Sequence, residues 1–449
     1  MFYRNIIGEL EKWFLNTNRK PLVIRGARQV GKTTVVNYFA SRFDQYIYLN
    51  LELAADREPF EKFTTMETLV QTLFFLKNKT LSKKSKTLLF IDEIQEVPEA
   101  INILRYFYEQ EPEIPVIAAG SMLETLFDKS VSFPVGRVEY KVLRPVSFPE
   151  FLMAIGETAA LEQLKQIPVA SFAHTKLLSL FHIYALIGGM PEVVQQYALH
   201  KDLTELSSIY DSLITSYIDD AEKYAANSSQ LQMLRHAIRA SFVQAGKRIK
   251  YHGFGNSNYG SREMGEVLRT LQKALLIYLI YPDTGFTLPL LPNLKKSPRL
   301  QVLDTGLLNY FAGIQKEILG SVDLNAVYQG TVIEHLVGQE LLATQYDALS
   351  SLHFWVREKK TSVAELDYVY PFQGKLIPIE VKSGAGGKLK SLHLFMEEAP
   401  HQLAVRLYAG ELSVQTVTQK NKKYYLLNLP YYLVSQIDNY MDWFQRNTI

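Results

Sequence analysis

The chain has 449 residues, 47% of them hydrophobic and 21% charged, with a formal net charge of only +2 and no cysteine. Such a length calls for two or three domains, and the composition is that of a folded soluble chain. The charge balance excludes a uniformly basic nucleic-acid binder, and the lack of cysteine excludes disulfides, thiol catalysis and thiolate zinc sites, which fits a reducing, cytoplasmic setting.

The N-terminal MFYRNIIGELEKWF mixes Arg4, Glu9, Glu11 and Lys12 with apolar residues and reads as an amphipathic helix, not a targeting segment. Apolar stretches such as Ala274 to Tyr281 are far shorter than the ~20 residues of a membrane span, so no membrane partner is expected. PLVIRG (21–26), YIYLNL (46–51), TLLFID (87–92), PVIAAG (115–120) and VEYKVL (138–143) read as strands between helix-like stretches. That alternation predicts a parallel α/β sheet covered on both faces. The following region is helical by periodicity. Ser261 to Leu275 places Met264, Val267, Leu268, Leu271 and Leu275 on one face, and LLIYLIYP (275–282), a turn-rich segment and RLQVLD (299–304) follow. Helix, helix, strand, loop, strand is the order of a winged helix, although generic helical packing gives a similar pattern. Beyond it, a helix over 331–344 precedes HFWVRE, ELDYVY, LIPIEVK and AVRLYAG, all strand-like, which predicts a separate α/β domain. The expected domains are 1–155, 156–315 and 316–449.

Gly26-Ala27-Arg28-Gln29-Val30-Gly31-Lys32-Thr33 matches G-x-x-x-x-G-K-[ST] in full, after an apolar strand and before a helical stretch. In such a P-loop the backbone N–H groups and the helix N-terminus hold phosphate oxygens, and Thr34 extends the same cradle. Lys32 is expected to neutralise β/γ-phosphate charge and Thr33 to complete a Mg²⁺ shell. TLLFIDE ends on Asp92, expected to support the magnesium, and Glu93, expected to activate the attacking water. No Asn-Lys-x-Asp guanine-reading motif occurs, so ATP is the expected nucleotide.

GARQVGKTT, IDEIQ, AAGS and VGRVEYKVLRPVSFPEF together resemble a bacterial and archaeal group of AAA-like P-loop ATPases, over roughly residues 1–155. The resemblance implies that Ser121 is a polar sensor facing the γ-phosphate and that Arg137 is a charge-stabilising arginine. Whether Arg137 acts in its own subunit or in a neighbour's of a homo-oligomer is left open.

Asp367, Glu380 and Lys382 stand as D-x12-E-x-K, with Glu380 and Lys382 two apart and therefore on one side of a strand. Pairing of ELDYVY with LIPIEVK would bring Asp367 beside them, and Glu334 on the preceding helix would complete a carboxylate cluster for a second Mg²⁺ or Mn²⁺. The constellation resembles the PD-(D/E)xK, restriction-endonuclease-like fold, except that Leu366 stands where a proline usually precedes the aspartate. The block from KSPRLQVLDTGLL through IPIEVKSG also resembles a domain of unknown function that commonly follows this ATPase type. These resemblances imply DNA as a partner and an ATP-driven, DNA-directed enzyme with a nuclease-like site, in which Lys382 would stabilise the attacking hydroxide or the pentavalent phosphate. The rival expectation is an ATP-dependent switch or scaffold whose C-terminal domain cuts nothing. Nine histidines show no H-x3-H spacing, so no zinc site is expected. Gly188-Gly189-Met190-Pro191-Glu192 reads as a turn and suggests no chemical role.

Overall fold

A computed structural model describes residues 2–121, 136–313, 331–359, 362–384, 387–420 and 422–448. Five parallel strands, β1 (Leu22–Arg25), β2 (Gln45–Asn50), β3 (Thr87–Asp92), β4 (Val116–Gly120) and β5 (Glu139–Val142), form one sheet in the order β2-β3-β4-β1-β5. Side chains alternate along each strand, so both faces are apolar for a structural reason. Leu22, Ile24, Leu88, Phe90, Ile117 and Ala119 pack on one side with Ile6, Leu10, Val36 and Phe39. Val23, Ile47, Leu49, Leu89, Ile91 and Ala118 pack on the other with Leu69, Leu73, Ile101 and Leu104. The N-terminal segment is the amphipathic helix that its spacing predicts, Ile6–Leu15, burying Ile6, Ile7, Leu10 and Trp13.

The middle of the chain is helical, with long helices at His174–Ile187, Ser207–Tyr224, Ser228–Gln244 and Ser261–Lys273. Helix Ser261–Lys273 buries Met264, Val267, Leu268 and Leu271 as its periodicity requires. Leu275 lies past its end with φ at +59°, so the expected helical face stops one turn sooner. Strands β6 (Ile277–Ile280) and β8 (Arg299–Val302) then pair antiparallel, with the short β7 (Pro282–Asp283) between them in sequence.

In the C-terminal region, helix Thr331–Ala343 leads into β9 (Phe354–Lys359), β10 (Ser362–Leu366), β11 (Tyr368–Phe372) and β12 (Lys375–Val381). After these come β13 (Leu403–Tyr408), β14 (Ser413–Gln419), β15 (Lys422–Pro430) and a last helix, Ile437–Thr448. ELDYVY is not one strand. It breaks at Asp367, where β10 leaves a β10-β9-β7 sheet and β11 enters a β11-β12-β13-β15-β14 sheet. Because β7 pairs with β9, the middle and C-terminal regions share a sheet. The expected boundary between them, at 315 and 316, lies outside the described residues.

A buried polar network ties all three regions together. Glu340 accepts the Phe148 N–H at 3.0 and 3.1 Å and the Tyr184 hydroxyl at 2.6 Å. Asp304 accepts the Gly189 N–H at 2.6 Å and caps the helix Thr305–Phe311 through the Leu307 N–H at 3.1 Å. Burial pushes Glu340 up to about 8 and Asp304 up to about 6. Through Asp304 the network also fixes the segment that begins at Gly188, where a Cβ on Gly189 would come within 2.3 Å of the Val146 carbonyl oxygen. Only glycine permits that approach.

Candidate nucleotide site

β1 delivers the loop 26–31 to the carboxyl edge of the sheet, where ligands of open parallel sheets bind. Gly31 has φ at +94°, a turn that favours glycine, and the helix Lys32–Ala40 starts directly after it. The Lys32 ammonium is buried and donates to the Gly26 and Ala27 carbonyl oxygens at 3.0 and 2.9 Å. Burial lowers it to about 8, although Glu93 and Asp92 pull it upward. The Thr33 hydroxyl donates to Asp92 Oδ2 at 2.6 Å. Burial raises the Asp92 carboxyl and the Thr33 hydrogen bond opposes that rise. Glu93 follows in the left-handed region (φ +50°), an uncommon conformation for a residue with a side chain, and Gln95 Nε2 donates to its Oε2 at 2.5 Å.

These groups open onto a cavity of about 430 Å³ lined by Arg28, Gln29, Gly31, Lys32, Thr33, Thr34 and Glu93. A hydroxyl and a carboxylate in contact, beside a buried ammonium at a helix start, are the donor set that Mg²⁺ and a phosphate chain require. The residues therefore fit magnesium-bound ATP. The remaining wall comes from places that local motifs did not point to: Phe2, Arg4, Ile7, Tyr38, Pro191, Glu192 and Gln195. Arg4 joins the N-terminal segment to the loop, donating to the Val30 oxygen at 3.2 Å and the Arg144 oxygen at 2.7 Å while pairing with Glu150. Pro191 and Glu192 follow the Gly188-Gly189 pair, which reads from sequence as a turn and nothing more.

Ser121 directly follows β4, which lies between β1 and β3, and is half-buried. Arg137 does not line the cavity. Its Nε donates to Glu109 at 2.9 Å, its guanidinium lies 5.8 Å from the Tyr108 ring centre, and its side chain is 45% exposed.

At the other expected site, Asp367 Oδ2 accepts the Val381 N–H at 2.7 Å and Lys382 donates to Glu380 Oε1 at 2.6 Å. The Tyr368 hydroxyl donates to the Glu334 carbonyl oxygen at 2.8 Å, which holds that helix alongside. From β8, Arg299 donates to the Asp367 carbonyl oxygen at 2.7 Å and to Glu365 at 2.5 Å, and lies 4.5 Å from the Phe354 ring centre. Burial, then the Asp367 charge, raises the carboxyls of Glu334 and Glu380, while Arg299 and Lys382 act downward on both. Glu380 Oε2 is buried without a hydrogen-bond partner. Among the described residues no group of three or more His, Asp or Glu side chains stands where it could hold a metal ion. In the loop beyond, Lys388 and Lys390 are exposed, while residues 385–386 lie outside the described residues.

Residues 18–152 match the AAA domain family. This segment is therefore similar to AAA domains. Residues 178–318 and 329–432 match two domains of unknown function, DUF8612 and DUF4143. Comparison with curated proteins gives no match. Among solved structures, the chain is similar to the Walker-type ATPase PABY2304 of Pyrococcus abyssi at 15% identity and a TM-score of 0.45, covering 70% of this chain and 96% of that one. C. elegans PCH-2 follows at 13% identity and a TM-score of 0.27, covering 48% and 63% of the two chains. Drosophila ORC bound to DNA stands at 14% and 0.25, covering 71% and 95%. Among the described residues of this chain, no helix is long and apolar enough to cross a membrane.

Proposed function

We propose that the ATPase domain binds and hydrolyses magnesium-bound ATP and that the rest of the chain responds to its nucleotide state. The observation that carries this reading is the Thr33–Asp92 contact beside buried Lys32, with Glu93 on the same cavity. Lys32 exchanges the Gly26 and Ala27 oxygens for phosphate oxygens, and Thr33 and Asp92 hold the metal. Magnesium, when bound, neutralises charge on the phosphate oxygens. Glu93, held by Gln95, takes the proton of the attacking water. Ser121 reports the terminal phosphate from the end of β4. Arg137, turned toward Glu109, serves the site of a neighbouring subunit in a homo-oligomer.

For the other regions, the helix order with the β6–β8 pair supports a winged helix that engages DNA. The mixed C-terminal sheet supports a restriction-endonuclease-like scaffold. The lack, among the described residues, of a group of three or more His, Asp or Glu placed to hold a metal favours the reading in which this scaffold cuts nothing. The test is ATP turnover with and without DNA, beside a Mg²⁺- or Mn²⁺-dependent nuclease assay on the same protein. Wild-type protein should hydrolyse ATP, and Glu93→Gln should bind ATP while losing about 10²-fold or more in turnover. Unchanged turnover in Glu93→Gln would assign the water to another base. DNA cleavage abolished by Asp367→Ala would overturn the silent-scaffold reading.

A further inference from the structure

Arg28 is a P-loop residue on the cavity wall, yet its guanidinium is paired with Asp220, 192 residues away on helix Ser207–Tyr224. The Arg28 side chain is 37% exposed and that of Asp220 only 10%. One turn earlier on the same helix, the Tyr217 hydroxyl donates to the Arg28 carbonyl oxygen at 3.0 Å. Both the backbone and the charge of Arg28 are thus held by one helix of the middle region. The nearby cation of that helix, Lys223, is turned away toward Glu52 at 3.5 Å and Glu96 at 3.9 Å.

We propose that Arg28 is a nucleotide-responsive switch: tethered to Asp220 without nucleotide, it transfers its guanidinium to the terminal phosphate of ATP and so releases helix Ser207–Tyr224. This rests on the reading of the P-loop as an ATP site. Lys32, Thr33 and Glu93 share the cavity with Arg28, and together they mark the end where the terminal phosphate lies. A terminal phosphoryl group carries more charge than one carboxylate, so it competes well for Arg28. ADP lacks that group and leaves the tether in place.

Transfer leaves Asp220 buried without its partner, which is unfavourable unless the helix moves to bring it to water. That necessity couples chemistry to motion. Tyr217, next to the tether, lines a small apolar cavity with Ile238, Leu271 and Leu307, so a shift of its helix is felt by the helices that precede β6 and follow β8.

Calorimetric titration of the full chain with magnesium-bound ATP and ADP tests the switch in wild type, Asp220→Asn, Arg28→Ala and the double variant. Asp220→Asn, which frees Arg28, should tighten ATP by about tenfold with little change for ADP. Arg28→Ala should lose the preference for ATP over ADP and cancel the gain in the double variant. Because the chain has no cysteine, Thr215→Cys on the exposed side of the helix accepts a single fluorophore. Its emission should respond to ATP, not ADP, and the response should vanish with Arg28→Ala. Should Asp220→Asn fold poorly, Arg28→Lys, which keeps the charge without the planar fork, provides a second measure and should retain only part of the ATP preference. The same ATP-to-ADP ratio in wild type, Arg28→Ala and Arg28→Lys overturns the switch while leaving ATP binding intact. Failure of the wild type to bind ATP at all would instead overturn the reading on which it rests.

Discussion

The two charged clusters of this chain contain similar side chains but are built differently. Around Lys32, Thr33, Asp92 and Glu93 the charges surround open space: Lys32 is parked on two backbone oxygens, and the cavity beyond it holds about 430 Å³. Around Asp367, Glu380 and Lys382 the contacts lie within the protein: Lys382 pairs with Glu380, Asp367 accepts the Val381 N–H, and Arg299 of β8 donates to the Asp367 carbonyl oxygen. On the proposed reading, the first arrangement exchanges partners when ATP arrives. In the second, Lys382 pairs with Glu380, Glu380 Oε2 stays without a hydrogen-bond partner, and Arg299 links β8 to the strand break at Asp367.

Removing one charge from each cluster should break them in different ways. Arg299→Ala removes a buried guanidinium that pairs with the half-exposed Glu365 and faces the buried Asp367, and should destabilise the protein by roughly 3 kcal/mol in denaturant unfolding, with ATP affinity in the surviving folded protein unchanged. A fully stable Arg299→Ala protein would show that the C-terminal charges are not held by that guanidinium.

A smaller effect should appear in the network between the regions. Burial raises Glu340 to about 8 from its ordinary 4.5, so the folded protein keeps a proton that the unfolded chain releases. Its contribution to stability is complete below about pH 4.5 and is lost as pH rises through 8. Glu340→Gln, neutral at every pH, should flatten the fall in melting temperature across that window. An unchanged slope would mean that Glu340 is ionised in the folded state and that the Tyr184 and Phe148 hydrogen bonds serve a carboxylate.

The same contrast explains what the sequence revealed. The P-loop and the Asp92–Glu93 pair are legible because each is a short run placed by one strand end, and the five strands are legible because apolar runs alternate with helices. Arg28 and Asp220 could not be paired in advance, since nothing local in either segment points to a partner 192 residues away. Pro191 and Glu192 were visible only as a turn; their role as cavity wall depends on Asp304 and on the close approach of Gly189 to Val146. ELDYVY misled because its alternation continues through Asp367, while tertiary pairing assigns its two halves to different sheets. Arg137 was drawn from a resemblance, and its Glu109 pair lies on a face that only the fold discloses.

The central claim is that residues 26–34, with Asp92 and Glu93, form the ATP site. Calorimetric titration of wild type and Lys32→Ala with magnesium-bound ATP tests it most directly. Wild type should bind at one site, and the variant, which has lost the cation facing the phosphates, should bind at least about 100-fold more weakly while melting at a similar temperature. Equal affinity in the two proteins would contradict the account.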